Sequence, residues 1–159
     1  MALHRLLREQ LLPARVEEVA PFFEAPHNLA LITPPWMAFR IATPEPVTMR
    51  EGARIDYTLR VLRVPLRWRT VISLWEPGRR FVDEQERGPY RRWRHLHEFL
   101  PTPEGTLVRD TVEYEVGWGW LGELAQRVYV ARALAAIFDY RGRVVAARFA
   151  PRRALETKA

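Results

Sequence analysis

An aspartate, a glutamine and two histidines alternate with large aromatics in segment 81–100, FVDEQERGPYRRWRHLHEFL. On either side of Gly88-Pro89 the segment has period two, the pattern of a β-hairpin. Phe81, Asp83 and Gln85 share one side of the first strand, and Trp93, His95, His97 and Phe99 share one side of the second. The opposite side carries Glu84, Glu86, Arg92, Arg94 and Glu98, an ordinary solvated face. A face that mixes Phe and Trp with Asp, Gln and His is unusual, because buried polar groups are costly unless paired. It reads as the wall of a pocket. A carboxylate within reach of an imidazole fixes its tautomer and raises its pKa, so the chemistry on offer is acid–base or polar anchoring.

The charges test the register. With Gly88-Pro89 at the hairpin centre, Glu84 faces Arg94 and Glu86 faces Arg92. If Glu104-Gly105 closes the next hairpin, Glu98 faces Arg109, Arg94 faces Glu113 and Arg92 faces Glu115; one strand back, Arg69 faces Glu86. Opposite charges directly across antiparallel strands are favourable, and this register yields only such pairs. On the inner face it puts His95 opposite Asp83, His97 opposite Asp110, and Trp93 between Gln85 and Tyr114. Two Asp–His pairs are therefore expected side by side, ringed by Trp68, Phe81, Trp93 and Phe99.

The elements that must position this face follow in chain order. Leu3, Leu6, Leu7 and Leu11 fit helical spacing, so pattern alone predicts a helix over 2–12, ended by Pro13. Val16, Val19, Phe22 and Phe23 define a short helix over 15–24; HNLALI forms another with Asn28 near its start, stopped by Thr33-Pro34-Pro35. A strand is expected over 36–42, with Trp36, Ala38 and Arg40 against Met37, Phe39 and Ile41. From Ala53 the period is two: Ile55, Tyr57, Leu59 and Val61; then Leu66, Trp68, Thr70, Ile72 and Leu74; then the hairpin; then Val108, Asp110, Val112, Tyr114 and Val116. Turn-rich Glu76-Pro77-Gly78 and the 101–105 run separate them, which implies an antiparallel meander. After Gly117-Trp118-Gly119-Trp120 a helix runs over 121–148, with Leu121, Leu124, Val128, Ala135, Phe138 and Val145 on its apolar face. At ~42 Å it must lie across the sheet.

Composition sets the outer limits. At 159 residues the chain suits one domain, 1–150, with a basic tail at 151–159 expected to be disordered. No apolar run approaches the ~18 residues of a membrane span, and the first residues lack a signal-peptide pattern, so a cytoplasmic protein is expected. The absence of cysteine removes disulfides, thiolate nucleophiles and zinc knuckles. The net charge of +6 does not indicate nucleic-acid binding: Lys158 is the single lysine among 25 Lys and Arg residues, and most arginines alternate with glutamates along strands.

Trp68, Thr70 and Ile72, then Pro77, Phe81, Asp83, Gln85, Gly88-Pro89-Tyr90, Trp93, His95 and His97, make up a specific run. It resembles an uncharacterised bacterial branch of the SRPBCC superfamily, the START and birch-pollen-allergen-like helix-grip proteins. NLALITPPWMAFRI, Asp110-x-Val112-x-Tyr114 and the IFDYR of 137–141 fit the same resemblance, which spans nearly the whole chain. It implies an α+β helix-grip fold of β-αα-β6-α order. About seven antiparallel strands would curve around the long carboxy-terminal helix, over an internal apolar cavity. It also makes 2–12 the first strand, against their own helical spacing. The superfamily includes lipid carriers, coenzyme Q-binding proteins, polyketide cyclases and hormone receptors, so the fold alone leaves function open.

The resulting expectation is binding, with possible transport, of a small hydrophobic molecule such as a lipid, isoprenoid or polyketide-like compound, with no cofactor. Its contacts would be Trp68, Phe81, Asp83, Gln85, Trp93, His95, His97, Phe99, Asp110 and Tyr114. The Asp–His pairs either fix the sheet as a satisfied network or anchor a ligand's polar head. One alternative is a cyclase- or dehydratase-like enzyme in which an Asp-held His is the base and the second His or Tyr114 stabilises an enolate. Another is a protein-interaction module. A metal held by His95, His97 and Asp83 or Asp110 is not expected, because a third histidine is missing. Trp118 and Trp120 either gate the cavity entrance or plug it, and residues 28–36 with the long helix should flank it.

Overall fold

Alternation of inward apolar and outward charged residues builds one seven-stranded sheet. The computed structural model describes residues 2–61, 63–117 and 119–151; Trp118 and residues 152–159 of the basic tail, with Arg152 and Arg153, lie outside the described residues. Strands β1 (His4–Leu12), β2 (Arg40–Ile41), β3 (Arg54–Val61), β4 (Val64–Glu76), β5 (Arg80–Arg87), β6 (Arg92–Thr102) and β7 (Gly105–Glu115) lie in the order β1-β7-β6-β5-β4-β3-β2. Every pairing is antiparallel. Helix α1 (Val16–Glu24) follows β1, and the chain closes with α2 (Gly119–Ala125), a π-helical turn (Gln126–Val130) and α3 (Ala131–Arg148). This is the helix-grip arrangement, and residues 2–12 contribute its first strand. The helical reading of their spacing fails because Leu3, Leu7 and Leu11 are an even number of residues apart, so they equally share one face of a strand. That face is the outer one, and all three are about half exposed, whereas Leu12 is buried inside.

Two turns are shorter or tighter than their composition suggests. HNLALI gives only a 3₁₀ turn, Pro26–Ala30, and the Asn28 side chain donates to the Phe22 carbonyl at 2.9 Å instead of capping a helix. The strand expected over 36–42 shrinks to Arg40–Ile41, because Pro35–Met37 winds into 3₁₀ geometry and Ala38 adopts φ 45°. Trp36 is consequently 61% exposed, its ring 5.9 Å from that of Tyr140.

The outer charge ladder forms on β6 and β7 as expected: Arg92 faces Glu115, Arg94 faces Glu113 and Glu98 faces Arg109. Glu84 faces Arg94 across β5 and β6, but paired register ends there, so the Glu86–Arg92 rung does not form. Arg69 faces Arg87, not Glu86, because the β4–β5 register shifts between Arg69 and Thr70. The shift sends Glu86 to Arg54, 2.9 Å away, while Arg69 grips Asp56 through two hydrogen bonds of 2.8 and 2.9 Å. A second shift lies between Ile72 and Leu74. Such irregularities bend a strand and increase twist, and here they curve the sheet beside the polar residues.

Gln85 leaves the inner face for the hairpin turn. Its amide donates to the Tyr90 carbonyl at 2.7 Å and accepts from the Tyr90 N–H at 3.1 Å. A Cβ on Gly88 would stand 2.3 Å from the Gln85 Oε1, so the amide would have to swing away and give up both bonds. Gly88→Ala is expected to destabilise the protein by about 1–2 kcal/mol, and to cost far less in a Gln85→Ala background; chemical denaturation of the double-mutant cycle measures both.

The long helix buries Leu134, Phe138 and Val145 toward the sheet, but Leu121, Leu124 and Val128 of the expected apolar face are each more than half exposed. A π turn uses more residues than an α turn, so it rotates the positions before it out of line with those after it. Gln10 of β1 ties the helix down by donating to the Gly142 carbonyl at 2.8 Å. No helix among the described residues is long and apolar enough to cross a membrane.

Candidate functional site

Three adjacent strands bring the expected acid–base residues together. On the inner face His95 lies opposite Asp83, and His97 lies between Phe81 and Asp110. The hydrogen bonds nevertheless run diagonally: His95 Nε2 is 2.9 Å from Asp110 Oδ1, and His97 Nε2 is 2.9 Å from Asp83 Oδ2. A carboxylate only accepts, so each Nε2 carries the proton it donates. The direct contacts complete a four-membered group, with His95 Nδ1 3.6 Å from Asp83 and His97 Nδ1 2.9 Å from Asp110, the latter outside hydrogen-bonding geometry. The imidazoles overlap with centroids 3.7 Å apart, and the Phe81 ring stacks on His97 at 4.2 Å.

Their neighbours divide the two histidines. Burial, reinforced by repulsion from His97, holds His95 below the usual imidazole range against the pull of Asp110 and Asp83. His97 is buried too, but its close contact with Asp110, its hydrogen bond to Asp83 and the charge of both raise it above that range. Burial alone would push Asp110 up, yet the hydrogen bond from His95 and the close approach of His97 hold it well below the carboxylate range. Asp83 is lowered in the same way, against its burial, by the His97 hydrogen bond and by the charges of His95, His97 and Arg141. The two imidazoles are thus shifted in opposite directions between two aspartates that are both shifted down.

The sign of the pH dependence follows. His97 has its pKa raised on folding, so its contribution is full below the unfolded value of ~6.5 and is lost as pH rises through the folded value. His95 acts oppositely, since its reluctance to charge lowers stability as pH falls below ~6.5. The depressed aspartates stabilise above pH ~4 and lose that contribution as pH falls through their folded values. Above pH ~6.5 His97 dominates. Stability is expected to fall more steeply with pH in the wild type than in His97→Gln, by at most ~1.4 kcal/mol per pH unit, in urea titrations between about pH 6.5 and 8.5.

The cluster opens onto a cavity of ≈ 130 Å³ between the sheet and helices. Its apolar wall includes Phe22, Leu29, Ile32, Ile55, Ile72 and Phe81, and its polar lining is Glu24, Tyr57, Thr70, Asp83, His95, His97 and Arg141. Burial and the negative charge of Asp83 raise the Tyr57 hydroxyl well above its usual range, partly offset by Arg141. A groove of ≈ 510 Å³ between β1, β7 and α3 adjoins it, lined among others by Gln10, Asp110, Phe138 and Val145; Phe23 and Arg141 belong to both linings.

Of the ten residues expected at the site, Phe81, Asp83, Trp93, His95 and His97 line the inner cavity and Asp110 lines the groove. The other four do not line either space. Trp68 is buried 5.9 Å from the parallel Tyr57 ring, with an indole N–H that has no acceptor among the described residues. Phe99 packs with Phe23 and Phe81 in the core, Gln85 braces its turn, and the buried Tyr114 hydroxyl accepts from Gln126 at 3.4 Å. Tyr57 and Arg141 were missed. Arg141 had a signal: it is the one charge in the spacing of Leu134, Phe138 and Val145, the buried stripe of α3.

Asp83, His95 and His97 each bring one potential metal-ligand atom within 4.8 Å of the others. Donors on a single zinc at ~2.1 Å lie at most ~4.2 Å apart, so the three would have to close in and give up hydrogen bonds. As it stands, the group is knit by protons.

No protein-family model and no curated protein matches the chain. Solved structures do. A START superfamily protein from Mycobacterium smegmatis superposes with a TM-score of 0.68 at 11% identity, covering 92% of this chain and 97% of its own. Ginseng major latex-like protein 151 from Panax ginseng gives 0.67 at 12% identity, covering 94% and 99%. The di-domain ARO/CYC StfQ from the steffimycin biosynthetic pathway gives 0.72 at 19% identity, covering 93% of this chain and 50% of that longer one. The fold is thus shared with helix-grip structures of the START and major latex-like kind, which the sequence resemblance anticipated.

Proposed function

We propose that the protein binds a small, mainly apolar molecule in the space between sheet and long helix. The observation that carries this reading is the inner cavity itself: lined mostly by apolar side chains, with Thr70, Asp83, His95 and His97 gathered by short mutual contacts among its polar groups. At ≈ 130 Å³ it is close to the size of a cavity that accepts benzene, and smaller than the ~300 Å³ at which drug-sized sites begin. One ring or a short branched chain fits. A lipid, isoprenoid or polyketide-like ligand requires Phe23 and Arg141 to part, joining the cavity to the groove. Phe23 of α1 and Arg141 of α3 are the residues common to both spaces. Native mass spectrometry of the purified protein, followed by solvent extraction, tests the reading. It expects adducts that are released as small apolar compounds; a protein that stays unliganded when offered such compounds would instead favour an interaction module.

A second reading, a cyclase- or dehydratase-like enzyme, is favoured by the opposed shifts of His95 and His97. Groups whose environments push their pKa values apart are suited to serve as base and acid at one pH. The ARO/CYC neighbour agrees with this direction. Tyr114 lines neither space, so the oxygen-stabilising role falls to His97 or Arg141. Turnover of β-keto substrates above the buffer rate, abolished by His95→Gln, would support it, and tight binding with no turnover would refute it.

A further inference from the structure

Arg141 is a charged residue on the buried stripe of α3, four residues before Val145 and three after Phe138. Its guanidinium carbon sits 4.8 Å from the centre of the Phe138 ring, which steers the head toward the sheet. Nε and Nη1 are sealed from solvent and have no hydrogen-bond partner among the described residues. Asp83 and Tyr57 both feel its charge, yet no carboxylate among the described residues comes within salt-bridge distance of it. A guanidinium has five donors and no acceptor, and native structures rarely leave such donors buried and unused. Arg141 itself belongs to the lining shared by the inner cavity and the groove, so its donors lie just behind that surface. Other polar groups of the lining are engaged with one another: Asp83 with His97, His95 with Asp110, and the Thr70 hydroxyl with the Glu84 carbonyl.

We propose that Arg141 is the polar anchor of the cavity, and that its guanidinium takes the carbonyl oxygen of an otherwise apolar, uncharged ligand such as a ketone or ester. This rests on the cavity-binding reading and names the ligand class for it. Charge decides between a carbonyl and a carboxylate. Asp83 and Asp110 already bring two carboxylates to these linings, each hydrogen-bonded to a histidine, and Arg141 adds a permanent positive charge beside them. A carboxylate would add a third to a dry site; a neutral carbonyl satisfies the donors without one.

Acetophenone, ethylbenzene and phenylacetate, of similar size and matched to a cavity that holds one ring, test the proposal by calorimetric titration. Wild-type protein is expected to bind acetophenone about 10- to 100-fold more tightly than ethylbenzene, the worth of a hydrogen bond to a charged donor, and more tightly than phenylacetate. Arg141→Met should bring acetophenone and ethylbenzene within about 3-fold while leaving ethylbenzene binding in place. Equal binding of the two in the wild type, or a preference that survives in Arg141→Met, overturns the anchor and leaves cavity binding standing. Tightest binding by phenylacetate overturns the carbonyl assignment. Binding of none of the three overturns both readings. Should Arg141→Met fail to fold, ¹⁵N-arginine spectra of the wild type decide: the Arg141 Nε–H signal must shift with acetophenone and not with ethylbenzene, and identical responses refute the proposal.

Discussion

Replacing Asp110 with alanine should cost the fold about 3–5 kcal/mol, the typical penalty for leaving a buried charge without its partner. Asp110 is 7% exposed, and its Oδ1 lies 2.9 Å from both His95 Nε2 and His97 Nδ1. Without it His97 loses one of the two aspartates that raise its pKa, and His95 loses the acceptor 2.9 Å from its Nε2. Asp110→Asn keeps the shape and one acceptor oxygen, and should cost less. Joint replacement of Asp83, His95, His97 and Asp110 by apolar residues of similar volume should recover much of the loss, because the desolvation of the whole group disappears with it. Equilibrium denaturation at neutral pH distinguishes these outcomes. A loss below about 1 kcal/mol in Asp110→Ala would mean that the cluster is not the tightly coupled group described above.

Phe81→Ala should cost a comparable ~3–5 kcal/mol, the usual range for removing a buried phenyl group. The ring is 5% exposed, stacks on His97 and touches Trp75 and Phe99, so neighbours can fill the void only in part. It also lines the cavity, so the same change enlarges the binding space. Fused bicyclic compounds that the wild type excludes should then bind, and their binding should return part of the lost stability by mass action. A shift in melting temperature by such compounds in Phe81→Ala, absent in the wild type, checks both effects.

Much of this site was legible because strand chemistry is local. Alternation around Gly88-Pro89 and the charges on β6 and β7 fix which residues of β5, β6 and β7 share the inner face, and that alone juxtaposes Asp83, His95, His97 and Asp110. The diagonal course of their hydrogen bonds was not legible, since Cα register specifies neighbours but not χ angles. Arg69 departed from expectation because the register shifts between Arg69 and Thr70, with no motif to announce it, and Gln85 because its amide turns to the Tyr90 backbone beyond the last paired residues of β5 and β6. The leucines of β1 and of the helix before the π turn mislead in the same way. Apolar spacing identifies a face, but whether that face meets the core depends on the partner element. Arg141 is the reverse case, visible as a charge on an apolar stripe and meaningful only once that stripe is laid over the cavity.

The central claim, that the interior takes up a small apolar molecule, is tested most directly by isoleucine methyl NMR during titration with ethylbenzene. Ile32, Ile55 and Ile72 line the cavity, while Ile41 and Ile137 do not. Saturable shifts at the first three methyls, with the other two unmoved, are the predicted result. No saturable shift, or shifts confined to Ile41 and Ile137, would contradict it.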